Sequence, residues 1–489
     1  MTQHDFDVIV IGAGIGGLTA GALLANRGMK VLLVEQHSKP GGYCSTFRRG
    51  PFVFDVAVHL VGGCEEGGLV DEVLRAARVR DEVKFARVSP MYLAVRGGER
   101  VEVPSDLHEF AEVVSRFAPG ETGVRSLVSK IYDIGATLLG FEGEPSPEKS
   151  FQALSGVANR SYLDFVESYV SDPRALSLLC GLAIYAGLPP AQTDAGLMIS
   201  MLISYHRGAF YPRGSTQALA DAFVSSITNA GGAVRLRRRV GKILLSGGRA
   251  HGVELSNGER FTARAVVSNA DSTRTLFDLI GEEHLPPPFV RRLGRMKRAV
   301  SAVNLYLALD GNPGVSHHEM FNLSERHPRE WQIFYRPRSG VAPFMSVSVP
   351  TLLEPALAPE GCHALAVNTF TDDPDLVERF RDEEGKDAIR EDILSAAERL
   401  LPSLRSHIVE RRSEVATPRT LIRYTLNTGG SALGWGKYWD QRWPHRLGPH
   451  TPVEGLYMAG HWTRGAHGIY GVVKSGKDTA AQVLKDLSG

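Results

Sequence analysis

The sequence lacks most of what would mark a nucleic-acid-binding, membrane-spanning or disulfide-built protein. Its 489 residues carry 55 basic and 54 acidic side chains, a net charge of +1. That balance gives no bulk electrostatic reason to expect nucleic acid as a partner. One basic run, RLRRRVGK at residues 235–242, reads as an edge strand with a solvated face. No apolar stretch reaches the ~20 residues that a helix needs to cross a bilayer. The four cysteines, Cys44, Cys64, Cys180 and Cys362, are scattered and form no C-x-x-C pair. They argue for a reducing cytoplasm and against a metal site. The start of the chain lacks the basic region of a signal peptide. The expectation is therefore a cytoplasmic protein, with peripheral membrane contact and oligomeric state left open. Repeats and low-complexity linkers are missing too, yet the length exceeds one compact unit.

Glycine is plentiful, with 52 residues, and it concentrates near both ends. Residues 8–35 read VIVIGAGIGGLTAGALLANRGMKVLLVE. An apolar run, Val8 to Ile11, has the look of a strand buried on both faces. Gly12, Gly14 and Gly17 follow in G-x-G-x-x-G spacing, with Ile15 and Gly16 between, and then an Ala/Leu-rich helix. A second apolar strand ends in Glu35, 18 residues after Gly17. Gly12 suits a tight turn, Gly14 a backbone that touches a pyrophosphate, and Gly17 close helix–strand packing. The helix N-terminus would hold the phosphates and Glu35 a ribose diol. This predicts a Rossmann-type α/β dinucleotide fold without deciding between NAD and FAD.

Gly41-Gly42 come next in an E-x5-G-G arrangement, followed by Tyr43, Thr46 and the stretch FDVAVHLVGG from Phe54. Farther on stand FYPRGSTQALADAF (residues 210–223), TPRTLIRYTLNTGGSALGW (residues 417–435) and GLYMAGHWTRGAHGIYGVVKSG (residues 455–476). Together these resemble the flavoprotein family that holds amine oxidases, phytoene desaturases, carotenoid isomerases and retinol saturases. The resemblance runs from residue 6 to about residue 485. It implies FAD, held at Gly12, Gly14, Ile15, Gly16, Gly17, Glu35, Gly41, Gly42, Tyr43, Thr46 and His59, with Val240 at the adenine. It brings Gly460, His461, Gly471 and Val472 back to the flavin from the C-terminal end. Tyr43 stands where relatives often carry Arg, which leaves Arg48 or Arg49 as a replacement phosphate contact. Relatives with covalent flavin use a C-terminal cysteine; none lies beyond Cys362, so non-covalent FAD is expected.

The same resemblance divides the chain. Residues 1–75, 206–285 and 416–489 would build the FAD-binding domain. A substrate domain would interleave with it, helical over 76–205 and an antiparallel sheet over 286–415. Helices are expected at 106–118, capped by Ser105, at 121–140, and at 161–170. Strand-like runs are SAVNLYLAL, WQIFYRP, FMSVSVP and HALAVNTF.

Function is the more open matter. Residues 181–205 are apolar, either ordinary core or the wall of a lipophilic tunnel. Core is the simpler reading of that stretch by itself, while the resemblance favours a small hydrophobic, isoprenoid or polyene substrate. Desaturation at a C–C bond is the first expectation, with isomerisation or saturation the alternatives. An amine or amino-acid oxidase would instead need an aromatic cage, for which Trp435, Trp439, Trp443 and Trp462 are candidates. A prenyl-lipid carrier of the same fold would dispense with FAD and with its phosphate glycines. His59 is the candidate acid or base, titrating near ~6.5 if unperturbed. Arg213 is the candidate anchor for a flavin or substrate oxygen, with His206, His461 and His467 as weaker entries.

Overall fold

The computed structural model describes residues 4–140, 146–336, 344–373, 383–441, 446–464 and 467–488. Strand Phe6–Ile11 is wholly buried from Val8 onward, because it lies in the parallel part of a mixed sheet whose far edge, Arg249–Leu255 and Val240–Ser246, is antiparallel. Val8 pairs with Val31 on one side and Ala265 on the other. The strand order is Ala233–Arg235, Val31–Val34, Phe6–Ile11, Arg260–Ser268, Arg249–Leu255, Val240–Ser246, with Leu456–Met458 beside Arg260–Ser268. The crossover helix Ile15–Ala25 packs against the last helix, Gly468–Ser488, and against Gln217–Asn229. The chain thus returns to its beginning: its last strand and last helix sit beside its first.

A second sheet of seven strands forms a floor. Its order is Glu414–Ala416, Ser301–Leu309, His363–Thr371, Met345–Ser348, Glu319–Leu323, Tyr92–Arg96, Glu99–Val103. Pairing is antiparallel except between Glu319–Leu323 and Tyr92–Arg96. The two-residue period of a strand gives each face its own composition. Val303, Leu305, Leu307, Val347 and Val367 face a core closed by Ile389 and Ile393. Asn304, Tyr306, Ser346 and Asn368 face the other way. Helices Val124–Leu139 and Ala195–His206 stand opposite them and pack together.

Four expectations change here. The stretch expected to be helical over 76–205 opens with strands Phe85–Val88, Tyr92–Arg96 and Glu99–Val103, so the floor sheet draws on residues far ahead of 286. The run at 331–336 makes a single bridge, Phe334 to Phe370, rather than a strand; Pro337 lies outside the described residues. The helix Leu107–Phe117 is capped by Asp106, whose side chain accepts from His108 and Glu109 N–H, and not by Ser105. The basic run is not one edge strand but the link between two: Arg235 ends the edge strand Ala233–Arg235, Arg237 turns the chain at φ +55, and Val240 begins the strand at the other edge of the sheet.

Candidate functional site

One cavity of about 1800 Å³ connects the mouth of the parallel sheet with the floor. At the sheet mouth its wall is backbone. Gly12 leaves the first strand at φ +93 and Gly41 turns at φ +113, conformations that only glycine adopts cheaply. Gly41 N–H donates to Ala13 O at 2.7 Å, which draws the two glycine segments side by side. Asn269 fills the space behind them. A Cβ on Gly14 would lie 2.7 Å from its Nδ2, and one on Gly16 2.7 Å from its Oδ1. The first helix begins at Ile15 with no side-chain cap, so its free N–H groups and positive dipole end favour an anion. Glu35 is positioned by Ala13 and His37, whose N–H groups donate to its two oxygens at 2.7 Å each. Lys39, Arg238, Arg239 and Arg423 line the cavity on the elements around it.

Toward the floor the wall becomes mainly apolar. Leu138, Leu139, Ile184, Leu197, Met201 and Phe370 contribute. His59 is 4% exposed, lines the cavity, and has no hydrogen-bond partner at either ring nitrogen. Its loop is held at both sides. His318 Nε2 bonds the His59 carbonyl at 2.8 Å. Asp55, buried, accepts from the Tyr211 hydroxyl at 2.6 Å and from Thr216 N–H and Oγ1 at 3.1 and 2.6 Å. Burial, with His318 alongside, lowers the His59 pKa to about 3. The imidazole is neutral at physiological pH, its environment having moved it well below the ~6.5 of an unperturbed histidine. His461 is pushed down to about 3 by burial and by the nearby Lys437, and His467 is lowered for the same reasons. Among the described residues no cluster of His, Cys, Asp and Glu could hold a metal ion.

Residues 15–484 match the family of flavin containing amine oxidoreductases. The chain belongs to that family. It is 27% identical to a prolycopene isomerase of Daucus carota, over 99% of this chain and 81% of that one. It is also 27% identical to a lycopene-forming phytoene desaturase of Pantoea ananas, over 98% of this chain and 99% of that one. A crystal structure of an oxidoreductase from Methanosarcina mazei shares the fold, with a TM-score of 0.67 at 18% identity, covering 99% of this chain and 100% of that one. The protein is a flavin-dependent oxidoreductase.

The cavity suits a flavin. A Cβ would fill the cradle at Gly14, the helix N-terminus and basic rim fit phosphate, and Glu35 fits a diol. Gly12, Gly14, Ile15, Gly16, Glu35, Gly41, Gly42, Tyr43, Thr46, His59, Val240, His461, Gly471 and Val472 all line the one cavity. Gly17 and Gly460 do not. A Cβ on Gly17 would lie 2.3 Å from Gly12 O, and one on Gly460 2.3 Å from Asn269 Oδ1. Both glycines pack tightly behind the cavity wall, Gly17 on the Gly12 turn and Gly460 on Asn269. Tyr43 is no phosphate ligand by its hydroxyl, which donates to Ser431 O at 3.2 Å and accepts from Asn427. Arg49 is tied to Glu414, which leaves Arg48 facing the cavity as the freer cation.

Arg213 is the clearest correction. It is exposed, lies outside the cavity wall, and donates to Leu353 O. In the Tyr-Pro-Arg-Gly turn it is Tyr211 that reaches inward, donating to Asp55 ahead of the His59 loop. His206 stacks on Phe110 with centroids 4.7 Å apart, also away from the cavity. No tryptophan cage forms among the described residues. Trp435 and Trp462 pack edge to face in the core behind the site, Trp439 is exposed, and Trp443 lies outside the described residues. Residues 181–205 are both core and wall: Met198 and Ile199 are core, while Leu197, Met201 and Tyr205 line the cavity. Sequence reasoning missed Asn269, Arg238 and Arg239. It also missed the polar floor residues Asn304, Ser346 and Asn368. Asn269 had a local signal, since it immediately follows a strand that ends beside the glycine turn.

Proposed function

We propose that the protein binds FAD non-covalently and acts on C–C bonds of a hydrophobic, isoprenoid or polyene substrate, desaturation being the first reading. The observation that carries this is one continuous cavity, cradle at one end and apolar chamber at the other. At about 1800 Å³ it exceeds the ~300–1,000 Å³ of an ordinary small-molecule site, leaving room for a dinucleotide and a long substrate together. The names of the relatives, a carotenoid isomerase and a carotenoid desaturase, support the substrate class. When bound, the flavin supplies the two-electron exchange that a C–H bond at an unactivated carbon demands.

The chain's own part is to bind, orient and exclude water. The glycine turns and the first helix hold the diphosphate. The last helix presents its N-terminus, from Gly468, to the cavity, where its dipole favours developing negative charge. His59, neutral and beside Asn368, is placed to accept one proton at a ring nitrogen. Leu138, Leu139 and Met201 guide an apolar chain. Phe151 and Leu154, 71% and 50% exposed, stand on the helix Pro147–Val157 that packs beside Val124–Leu139. This face is the proposed contact with a membrane, from which a lipophilic substrate would enter.

Isomerisation without net redox change is the second reading, favoured by the relative from Daucus carota. Anaerobic incubation with phytoene and with prolycopene separates the two. Desaturation gives loss of visible flavin absorbance together with new double bonds. Isomerisation gives a rearranged polyene with the absorbance restored. Neither outcome with either polyene would overturn the lipophilic-substrate reading. Acid precipitation tests the cofactor separately: FAD released to the supernatant is expected, and flavin in the pellet would overturn non-covalent binding. Co-sedimentation with phospholipid vesicles, lost on Phe151→Asp with Leu154→Asp, tests the membrane face.

A further inference from the structure

A chamber built only for hydrocarbon has no use for a polar floor, yet this floor carries a polar stripe. Register aligns Asn304 with Asn368 and Asn368 with Ser346 across three strands, and all three line the cavity. In the neighbouring row Ser348 pairs with Glu319. Ser348 Oγ donates to Glu319 Oε2 at 2.6 Å, and Asn368 Nδ2 reaches the Oγ atoms of Ser346 and Ser348 at 3.3 Å each. Glu319 is 0% exposed. Tyr185, on the helical wall, turns its hydroxyl toward Glu319 and lines the cavity. Several polar atoms here are buried and make no hydrogen bond of normal geometry: Glu319 Oε1 and the Tyr185 hydroxyl, which face each other at longer range, Asn368 Oδ1, and both ring nitrogens of His59, beside Asn368. Leaving one such atom unpaired typically costs ~10-fold or more in an equilibrium, so their convergence on one place points to a ligand group that pairs them.

We infer that this stripe is a subsite for a hydrogen-bonding oxygen, a hydroxyl or carbonyl, carried by an otherwise apolar isoprenoid-type substrate. The inference rests on the lipophilic-substrate reading and narrows it from hydrocarbons to chains with one polar group. Glu319 is a positioning residue behind the stripe, and Tyr185 and Asn368 are the groups in reach of the oxygen. Burial raises the Glu319 pKa to about 8, so its carboxyl is neutral at pH 7. A neutral carboxyl both donates and accepts without placing a charge beside a lipid. The other titratable groups around it do not change state nearby. His59 and His318 are lowered by burial, and Tyr185, Tyr205 and Cys64 are raised by it.

The test measures dissociation constants for the flavin-loaded enzyme from perturbation of flavin absorbance. The probes are geranylgeraniol and the hydrocarbon of the same skeleton without the hydroxyl. The alcohol should bind roughly 10-fold tighter at pH 7. The ratio should fall toward unity in Tyr185→Phe and in Glu319→Leu, and recover in part in Glu319→Gln. It should also fall between pH 7 and 9 in the wild type but not in Glu319→Gln. Should Glu319→Leu fail to fold, Tyr185→Phe carries the comparison. Equal binding of both probes, or a ratio unmoved by Tyr185→Phe, overturns the subsite while leaving the lipophilic reading intact. Binding of neither probe overturns both.

Discussion

The two ends of the cavity are made by opposite means. At the cradle, side chains are taken away. Gly14, Gly16, Gly41 and Gly42 bring two backbones and Asn269 so close that almost any Cβ would collide. Recognition there belongs to N–H groups and a helix dipole, which every sequence has and only glycine uncovers. At the floor, side chains are added. Recognition belongs to an apolar wall interrupted by Asn304, Ser346 and Asn368, with Glu319 beneath. The first end suits one cofactor and tolerates little change. The second is where relatives of one fold can diverge in substrate.

Gly14→Val should break the contrast most completely. Its Cβ would meet Asn269 Nδ2 at 2.7 Å, and its methyl groups would occupy the phosphate position. The purified variant should be folded and colourless, as judged by circular dichroism and visible absorbance. Tyr185→Phe, at the floor end, should stay yellow. A Gly14→Val protein that retains stoichiometric flavin would show that the cradle is not the phosphate site.

His59 stands where the ends meet. His59→Ala should slow turnover by roughly 10²–10⁴-fold, the usual span for a lost general acid or base, with flavin content unchanged. Because its pKa is held at about 3, the wild-type rate should show no His59 titration between pH 5 and 9. If flavin is lost in proportion to activity, His59 holds the cofactor and moves no proton.

The difference in construction explains what the sequence made legible. The cradle is written in short, fixed spacings, so Gly12, Gly14 and Glu35 could be placed from residue types alone, and Gly41 through the family resemblance that its spacing from Glu35 carries. The return of the C-terminal strand was legible only through that resemblance. The floor stripe is not local. Asn304, Ser346 and Asn368 are ordinary strand residues in their own segments and meet only through register between strands far apart in the chain. Arg213 misled because a Tyr-Pro-Arg-Gly turn draws the eye to its charge, while the fold uses Tyr211. The basic run was read as one edge strand and joins two, because alternation cannot reveal that Arg237 takes a left-handed conformation between them.

Burial also sets an acid limit for the whole molecule. His59 and His461 are held at about 3 and His206 at about 4, and His318 and His467 are lowered too. Unfolded, each would titrate near ~6.5. Between 6.5 and those folded values the unfolded chain binds more protons, so stability is present above ~6.5 and is lost as pH falls. Each histidine contributes up to ~1.4 kcal/mol per pH unit in that window. His206→Leu, distant from the cavity, should lower the pH slope of the denaturation midpoint between pH 6 and 4 by about one proton's worth. An unchanged slope would mean that His206 is already solvated or charged in the folded state.

The smallest effects separate two residues of one turn. Tyr211 donates to Asp55, a buried carboxyl whose pKa burial raises and whose remaining bonds come from Thr216. Tyr211→Phe leaves one oxygen of that carboxyl short of a donor, at a cost of ~1–3 kcal/mol by chemical denaturation. The loop carrying His59 begins a few residues after Asp55, so turnover should fall with stability. Arg213, two residues along, has its guanidinium on the surface against Leu353 O. Arg213→Ala should stay within ~0.5 kcal/mol of wild type, with flavin content and turnover unchanged. A loss of turnover in Arg213→Ala at unchanged stability would mean that the side chain swings into the cavity when substrate binds. The turn would then serve the reaction through its arginine after all, and the division between a scaffold end and a chemical end would have to be redrawn there.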